Sequence, residues 1–252
     1  MLKFVLLLKN LITFLKRGFI MYQQNYILRY GDLDNKGYVK IATIFDILQD
    51  ISTRHSAAIG FDIKTLYSMN IAFLLKGWRV KLLQPIDYFS DVVVLTGIMK
   101  IRHFETIRKY EIWQNGILKL IGTGNWIPVD TVTKKIIVCP EEIKNGYDCI
   151  NEDDNEIPFV RVREDENIQS VLLYQTQKRD IDTNGHINNV KSLELALETL
   201  PDNFIINEIQ VTYVQELKRE ELINVCESRT DDFIHIELKN DDGKACVLIN
   251  VK

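Results

Sequence analysis

The stretch D-I-D-T-N-G-H-I at residues 180–187 repeats, without a gap, the pattern of D-L-D-N-K-G-Y-V at residues 32–39. Both aspartates, the glycine and the final apolar position of each stretch match, and the two copies lie 148 residues apart. Such an internal repeat indicates that the chain contains two copies of one structural unit.

An amphipathic helix is predicted directly after each copy. Apolar residues recur every three to four positions there, with polar residues between them, which is the period of a helix with one buried face. Pro201 is expected to mark the end of the second helix. The apolar positions are Ile41, Ile44, Leu48 and Ile51 in the first helix and Val190, Leu193, Leu197 and Leu200 in the second.

Beyond each helix the apolar period changes to two, which predicts β-strands. Asn115-Gly116 and the turn at 241–243 predict hairpins, and hairpins imply antiparallel pairing. The predicted strands are 78–82, 92–96, 106–113 and 117–129 in the first half and 209–215, 222–228, 233–239 and 245–251 in the second.

We therefore predict an α+β fold of two units, each a long helix wrapped by a curved antiparallel sheet. The first unit is expected at residues 21–140 and the second at 171–252, joined by an acidic, polar linker at 141–170. Residues 1–20 contain an apolar run interrupted by basic residues, which is too short and too charged for a membrane span. We expect them to be an extension before a functional start at Met21, and an interfacial surface helix is the alternative.

Composition excludes several classes of protein. With 46% apolar residues the chain is not disordered, and its net charge of −4 is unlike that of a general nucleic-acid binder. The cysteines form no C-x-x-C pair and have no histidine at metal-ligand spacing, so we expect free thiols, no metal site and a cytoplasmic location. The four cysteines are Cys139, Cys149, Cys226 and Cys246.

The two copies of the repeat differ in the residues that can do chemistry. The second copy has Asn184 and His186 after Asp182, where the first copy has only Lys36 and Tyr38 beside its aspartate. Further along, Glu216 in V-T-Y-V-Q-E-L-K corresponds to Pro85 in V-K-L-L-Q-P-I-D, at an offset of 131 residues. One site per chain is therefore predicted, in the second half, which leaves the first half to shape a substrate pocket.

The spacing within the second copy supports a site as well. Residues 182, 184 and 186 alternate, so in an extended segment their side chains would project to one side. Asn188 and Asn189 follow at the expected helix start, where the helix dipole would stabilise an oxyanion. The alternative interpretation is a plain turn with a capped surface histidine.

Several stretches in the same order resemble the acyl-acyl carrier protein thioesterases of plants and bacteria. They are D-I-D-T-N-G-H-I-N-N-V-K at 180–191, Y-G-D-L-D-N-K-G near the start, R-H-S-A-A-I-G-F at 54–61, L-L-K-G-W-R-V at 74–80 and G-N-W-I-P-V-D-T-V-T-K-K at 124–135. The resemblance implies a tandem hot-dog fold and hydrolysis of the thioester that joins a fatty acyl chain to the phosphopantetheine of acyl carrier protein. It also implies that Asp182, Asn184, His186 and Glu216 are the catalytic residues. Leu217 replaces a cysteine that an older proposal for the family used as nucleophile, which disfavours a cysteine mechanism.

Other residues are candidates for substrate or partner binding. Phe73 and Trp78 are expected to line the acyl pocket of the first half, with Asn188 and Asn189 near the reacting carbonyl. Scattered basic residues could meet an acidic carrier protein, and a solvated face is the alternative. They are Lys76, Arg79, Lys81, Arg102, Arg108, Lys109, Lys134 and Lys135.

The expected chemistry needs no cofactor and no nucleic-acid partner. An acyl-CoA thioesterase of the same fold and a non-catalytic acyl-binding module remain alternatives, and a homodimer remains open.

Overall fold

A computed structural model describes residues 21–150, 157–182 and 185–252. The expectations for residues 1–20, for Asn184 and for the acidic residues 151–156 therefore lie outside the described residues.

The described residues of the first half form five strands and three α-helices. After β1 (Tyr22–Tyr26), a 3₁₀ turn (Tyr30–Asp32) leads into helix α1 (Ile41–Ala58) and the short helix α2 (Ile63–Ser68). The strands that follow are β2 (Ile71–Leu82), β3 (Val92–Ile101), β4 (Thr106–Gln114) and β5 (Ile117–Asp130), before helix α3 (Glu141–Gly146).

The second half repeats this order. It has β6 (Gln169–Gln175), a 3₁₀ turn (Lys178–Asp180), helix α4 (Asn189–Leu197), β7 (Glu208–Tyr213), β8 (Leu222–Arg229), β9 (Ile234–Lys239) and β10 (Ala245–Val251). The predicted hairpin turn at Asn115-Gly116 is confirmed, because both residues adopt positive φ angles of 52° and 77°.

All described strands belong to one antiparallel sheet of ten, in the order β1-β3-β4-β5-β2-β7-β10-β9-β8-β6. The halves join where β2 pairs with β7, with Trp78 opposite Val211. Helices α1 and α4 pack against each other on one face of this sheet. Leu48 and Trp78 of the first half share a single core with Leu193 and Ile236 of the second half. The α+β fold with two helix-and-sheet units is thus confirmed, while the residue boundaries of the units stay a prediction.

Two details of the prediction are wrong. The second helix is not long: α4 has nine residues against eighteen in α1, and the chain leaves the helix at Glu198. Thr199 and Leu200 instead form turn hydrogen bonds, since the residues before Pro201 are pushed away from helical geometry. Strand β2 begins at Ile71, well before the expected Trp78, because the run from Ile71 to Leu75 is already paired with β5.

Candidate active site

The second repeat forms a tight turn. The backbone N–H of Asp182 donates to the His186 carbonyl at 2.8 Å, and that of Gly185 donates to the Asp182 carbonyl at 3.2 Å. Gly185 has a φ of +86°, a conformation that L side chains rarely adopt, so glycine is favoured at this position. The expected extended conformation between Asp182 and His186 is therefore wrong.

The Asp182 carboxylate helps to hold this turn in place. Its Oδ1 accepts the backbone N–H of His186 at 3.2 Å. The hydrogen bond fixes the position of the His186 backbone relative to Asp182, so the two candidate residues form one rigid unit.

Glu216 reaches the turn from the segment that follows β7. The Ile187 N–H donates to the Leu217 carbonyl at 2.9 Å, and His186 forms an isolated antiparallel bridge with Lys218. These backbone contacts bring the Glu216 carboxylate within 3.0 Å of His186 Nε2. The predicted strand 209–215 ends earlier than expected, because β7 stops at Tyr213, and the connecting segment carries the glutamate.

The imidazole is accessible to a substrate. The His186 side chain is 32% exposed and that of Glu216 is 55% exposed. If the neutral ring donates from Nε2 to Glu216, its Nδ1 is the nitrogen that can accept a proton. The pair can therefore act in general acid–base chemistry at the protein surface.

Helix α4 begins immediately after the histidine. The Asn188 side chain caps this helix by accepting the Val190 N–H at 2.7 Å, and the Asn189 carbonyl accepts the Tyr213 hydroxyl at 3.2 Å. Burial raises the pKa of Tyr213, which keeps this donor protonated. Asn188 and Asn189 thus lie at a fixed helix start, where N–H groups and the helix dipole favour negative charge.

The first half forms a turn with the same backbone hydrogen bonds, but it lacks the residues proposed for acid–base chemistry. Asp34 accepts the N–H groups of Lys36 and Tyr38 at 2.8 and 2.9 Å, and Gly37 has a φ of +82°. The Val39 N–H donates to the Ile86 carbonyl, as Ile187 does to Leu217. This equivalence confirms the alignment of Glu216 with Pro85, so the equivalent positions of the first half carry Tyr38 and Pro85 in place of the imidazole and the second carboxylate.

The two residues of the first half that were expected to line the acyl pocket, Phe73 and Trp78, differ in their burial. Trp78 is 1% exposed and contacts the rings of Phe45, Tyr110 and Trp126 at centroid distances of 4.9 to 6.0 Å. Phe73 is partly buried and packs against a small cluster beyond the end of α1. Because β2 and β7 are antiparallel neighbours, the beginning of β2 with Phe73 lies beside the end of β7, from which Glu216 follows.

A buried polar network under α1 was missed by sequence reasoning. Arg108 donates to His55 Nδ1 at 2.8 Å, and Ser52 is hydrogen-bonded to the Tyr110 hydroxyl at 2.7 Å. Burial, followed by the nearby Arg108 charge, lowers the pKa of His55 to about 4. The expectation that Arg108 and Lys109 face a carrier protein is wrong, since they are 4% and 3% exposed. Nothing in the alternating sequence of this strand indicated that its charged residues are buried.

Within the described ranges no group of three or more His, Cys, Asp and Glu side chains could hold a metal ion. All four cysteines are free thiols. Nor does any helix in the described part of the chain have the length and apolar character needed to span a membrane.

The fold and this site define a tandem hot-dog protein with an exposed His–carboxylate pair at the start of its second central helix. Comparison with known families identifies which one. The N-terminal domain model of the acyl-ACP thioesterases matches residues 20–147, and their C-terminal domain model matches residues 163–251. The chain belongs to the acyl-ACP thioesterase family.

Solved structures of low sequence identity share the fold. An acyl-ACP thioesterase from Bacteroides thetaiotaomicron superposes with a TM-score of 0.84 at 20% identity, covering 92% of this chain and 96% of that one. The 12:0-ACP thioesterase from Umbellularia californica superposes with a TM-score of 0.77 at 17% identity, covering 92% and 96%.

Curated relatives are longer than this chain. Oleoyl-acyl carrier protein thioesterase 1, chloroplastic, from Arabidopsis thaliana is 17% identical over 237 residues, which are 84% of this chain and 65% of that protein. The chain thus spans just under two thirds of that relative's length.

Proposed function

We propose that the chain hydrolyses fatty acyl-ACP thioesters to a free fatty acid and the carrier thiol, at one active site in its second half. The observation that carries this proposal is the 3.0 Å pair of His186 and Glu216, held beside Asp182 at the start of α4. Family membership supports the thioester substrate. The second half alone has an imidazole on this turn, which supports one site per chain.

The geometry suggests a division of roles. His186, oriented by Glu216, takes a proton from a water molecule whose oxygen forms a bond to the thioester carbonyl carbon. The developing oxyanion lies near the start of α4, where N–H groups stabilise it, and we assign Asn184 to the same task. The carbon–sulfur bond then breaks, and His186 returns the proton to the leaving thiolate.

Asp182 is best explained as a positioning residue in this scheme. Its Oδ1 already accepts the His186 N–H, so the carboxylate holds the turn that presents the imidazole. Phe73, Trp78, Asn188 and Asn189 remain proposals as residues that contact the substrate.

Matched kinetics test the proposed function. Purified protein is assayed with acyl-ACP and acyl-CoA of the same chain length, and the released acids are identified. The proposal expects turnover of acyl-ACP with the larger kcat/KM. A larger kcat/KM for acyl-CoA would assign the enzyme to the CoA ester, and tight acyl binding without turnover would make it a binding module.

Two finer assignments belong to this proposal. The four free thiols are consistent with a reducing compartment such as the cytoplasm, although the plant relatives are chloroplastic by name. A homodimer is tested by analytical ultracentrifugation of the full chain.

A further inference from the structure

A pocket of about 580 Å³ opens on the outer face of the sheet in the first half. Gly124 faces the core rings of Trp78 and Tyr110, so its neighbour Asn125, which lines the pocket, points to the opposite face. Phe159 packs over Gly77, where any larger residue would collide with its ring. The pocket therefore lies between the sheet and the segment that connects the two halves.

Two basic residues that line this pocket have no counter-ion among the described residues. Lys76 and Arg161 form no ion pair with any carboxylate in the described part of the chain, whereas Arg102 is paired with Glu105 at 2.8 Å. Both residues line the same pocket, where burial and then the Arg161 charge lower the pKa of Lys76. A half-buried lysine and an exposed arginine that line the same pocket favour an anionic ligand.

The pocket also has an unused acceptor. Asn125 is 6% exposed and donates from Nδ2 to Glu105 Oε2 at 3.1 Å, which fixes the orientation of its amide. Its Oδ1 is buried and has no hydrogen-bond partner among residues 21–150, 157–182 and 185–252. Since a buried acceptor without a partner costs about 1–3 kcal/mol, a ligand N–H or O–H group would be favoured here.

The pocket is close to the proposed active site. Lys76 Nζ donates to the Tyr213 carbonyl at 3.2 Å, and Glu216 follows only three residues later. Three extended residues span at most about 11 Å. An extended phosphopantetheine arm, with a phosphate at one end, two amides and a hydroxyl along it and a thiol at the other end, is longer than this path.

We propose that this basic pocket binds the phosphate end of the phosphopantetheine arm, with Lys76 and Arg161 on the phosphate and Asn125 Oδ1 accepting from an N–H or O–H group of the arm. The proposal rests on the proposed function, because it places the thioester of the same arm at His186. Phe104 and Phe159 supply the apolar walls for the carbon skeleton of the arm.

Three substrates with the same acyl group test the site: acyl-ACP, acyl-phosphopantetheine and acyl-pantetheine, which lacks the phosphate. The double variant K76Q/R161Q should lower kcat/KM by about tenfold on both phosphate-containing substrates, mainly through KM, as expected for the loss of charge-assisted hydrogen bonds. Its kcat/KM on acyl-pantetheine should equal that of the parent. The control R163Q removes an exposed charge two residues from Arg161, outside the pocket, and should change none of the three.

Each other outcome overturns the assignment in a distinct way. Unchanged kinetics of the double variant would mean that the pocket does not bind the arm. A loss confined to acyl-ACP would assign the pocket to an acidic protein surface, and an equal loss on acyl-pantetheine would show a structural effect. If no thioester is hydrolysed by the parent, the proposed function fails, and the pocket is then judged by calorimetric binding of phosphopantetheine against pantetheine. Equal affinity for the two would overturn it.

Discussion

In the first half of the chain, Asp34 stabilises a turn that presents Tyr38, and in the second half Asp182 stabilises a turn of the same hydrogen-bonding pattern that presents His186. Both turns contain a glycine with a φ near +85° and connect to the segment after a neighbouring strand. The aspartate and the glycine therefore belong to the fold, because both halves retain them. The histidine and Glu216 are the residues that distinguish a chemical site from a structural turn.

The largest expected effect comes from removing the imidazole. His186→Ala should lower kcat for acyl-ACP hydrolysis by about 100-fold or more, since it removes the proposed general base. Tyr38→Ala, the same change at the equivalent position of the first half, should leave kcat unchanged. Steady-state kinetics of both folded variants check this, and equal losses would mean that both halves take part in catalysis.

Glu216 offers the next test. Glu216→Gln keeps the size of the side chain but removes the charge that faces His186 Nε2, so we expect kcat to fall by about tenfold to 100-fold with little change in KM. The thermal midpoint should be unchanged, because the side chain is more than half exposed. A higher KM with a normal kcat would instead assign Glu216 to substrate binding.

The partly buried His55 of the first half should affect stability and not chemistry. The pKa of His55 is about 4 in the folded protein and 6.5 in the unfolded chain, so only the unfolded chain binds a proton between these values. The free energy of unfolding should therefore fall as the pH decreases from 6.5 to 4, by about 1–2 kcal/mol after allowance for the partial exposure of the ring.

Denaturation by urea at several pH values measures this loss. His55→Gln should remove this part of the pH dependence, while the exposed His103→Gln should keep it. An identical pH profile for the parent and His55→Gln would show that the arginine-bound histidine is not the titrating group.

The smallest effects are expected at the two turn glycines, where a change in stability can be distinguished from a change in kcat. A Cβ at Gly37 or Gly185 would meet no atom within 4 Å, so alanine at either position adds only the strain of a positive φ. Each substitution should lower the free energy of unfolding by about 1–2 kcal/mol. Only Gly185→Ala should also lower kcat, because it alone distorts the turn that holds His186. A kcat loss in Gly37→Ala as well would mean that the two turns are coupled.

Much of the fold, and the alignment of its two halves, could be predicted from the sequence. The repeat, the apolar periods and the hairpin turns predicted the α+β architecture, because each is a local pattern that directly reflects backbone geometry. The alignment of Glu216 with Pro85 was also correct, since V-T-Y-V-Q-E-L-K and V-K-L-L-Q-P-I-D match in the pattern of their apolar residues.

Features that depend on long-range contacts were not predictable in the same way. The pairing of β2 with β7, which merges the two units into one sheet, has no local signature. The burial of Arg108 and Lys109 and the pocket around Lys76 arise from segments far apart in the chain. The turn between Asp182 and His186 was predicted as an extended segment, although Gly185 was the signal for a turn.

The central claim is that only the second half carries out chemistry. The most direct measurement is a crystal structure with a non-hydrolysable acyl-phosphopantetheine in which an amide replaces the thioester. Our account predicts one bound analogue per chain, with its carbonyl at the start of α4 beside His186 and its acyl chain directed into the first half. A carbonyl bound at Tyr38 and Asp34, or one analogue in each half, would contradict it.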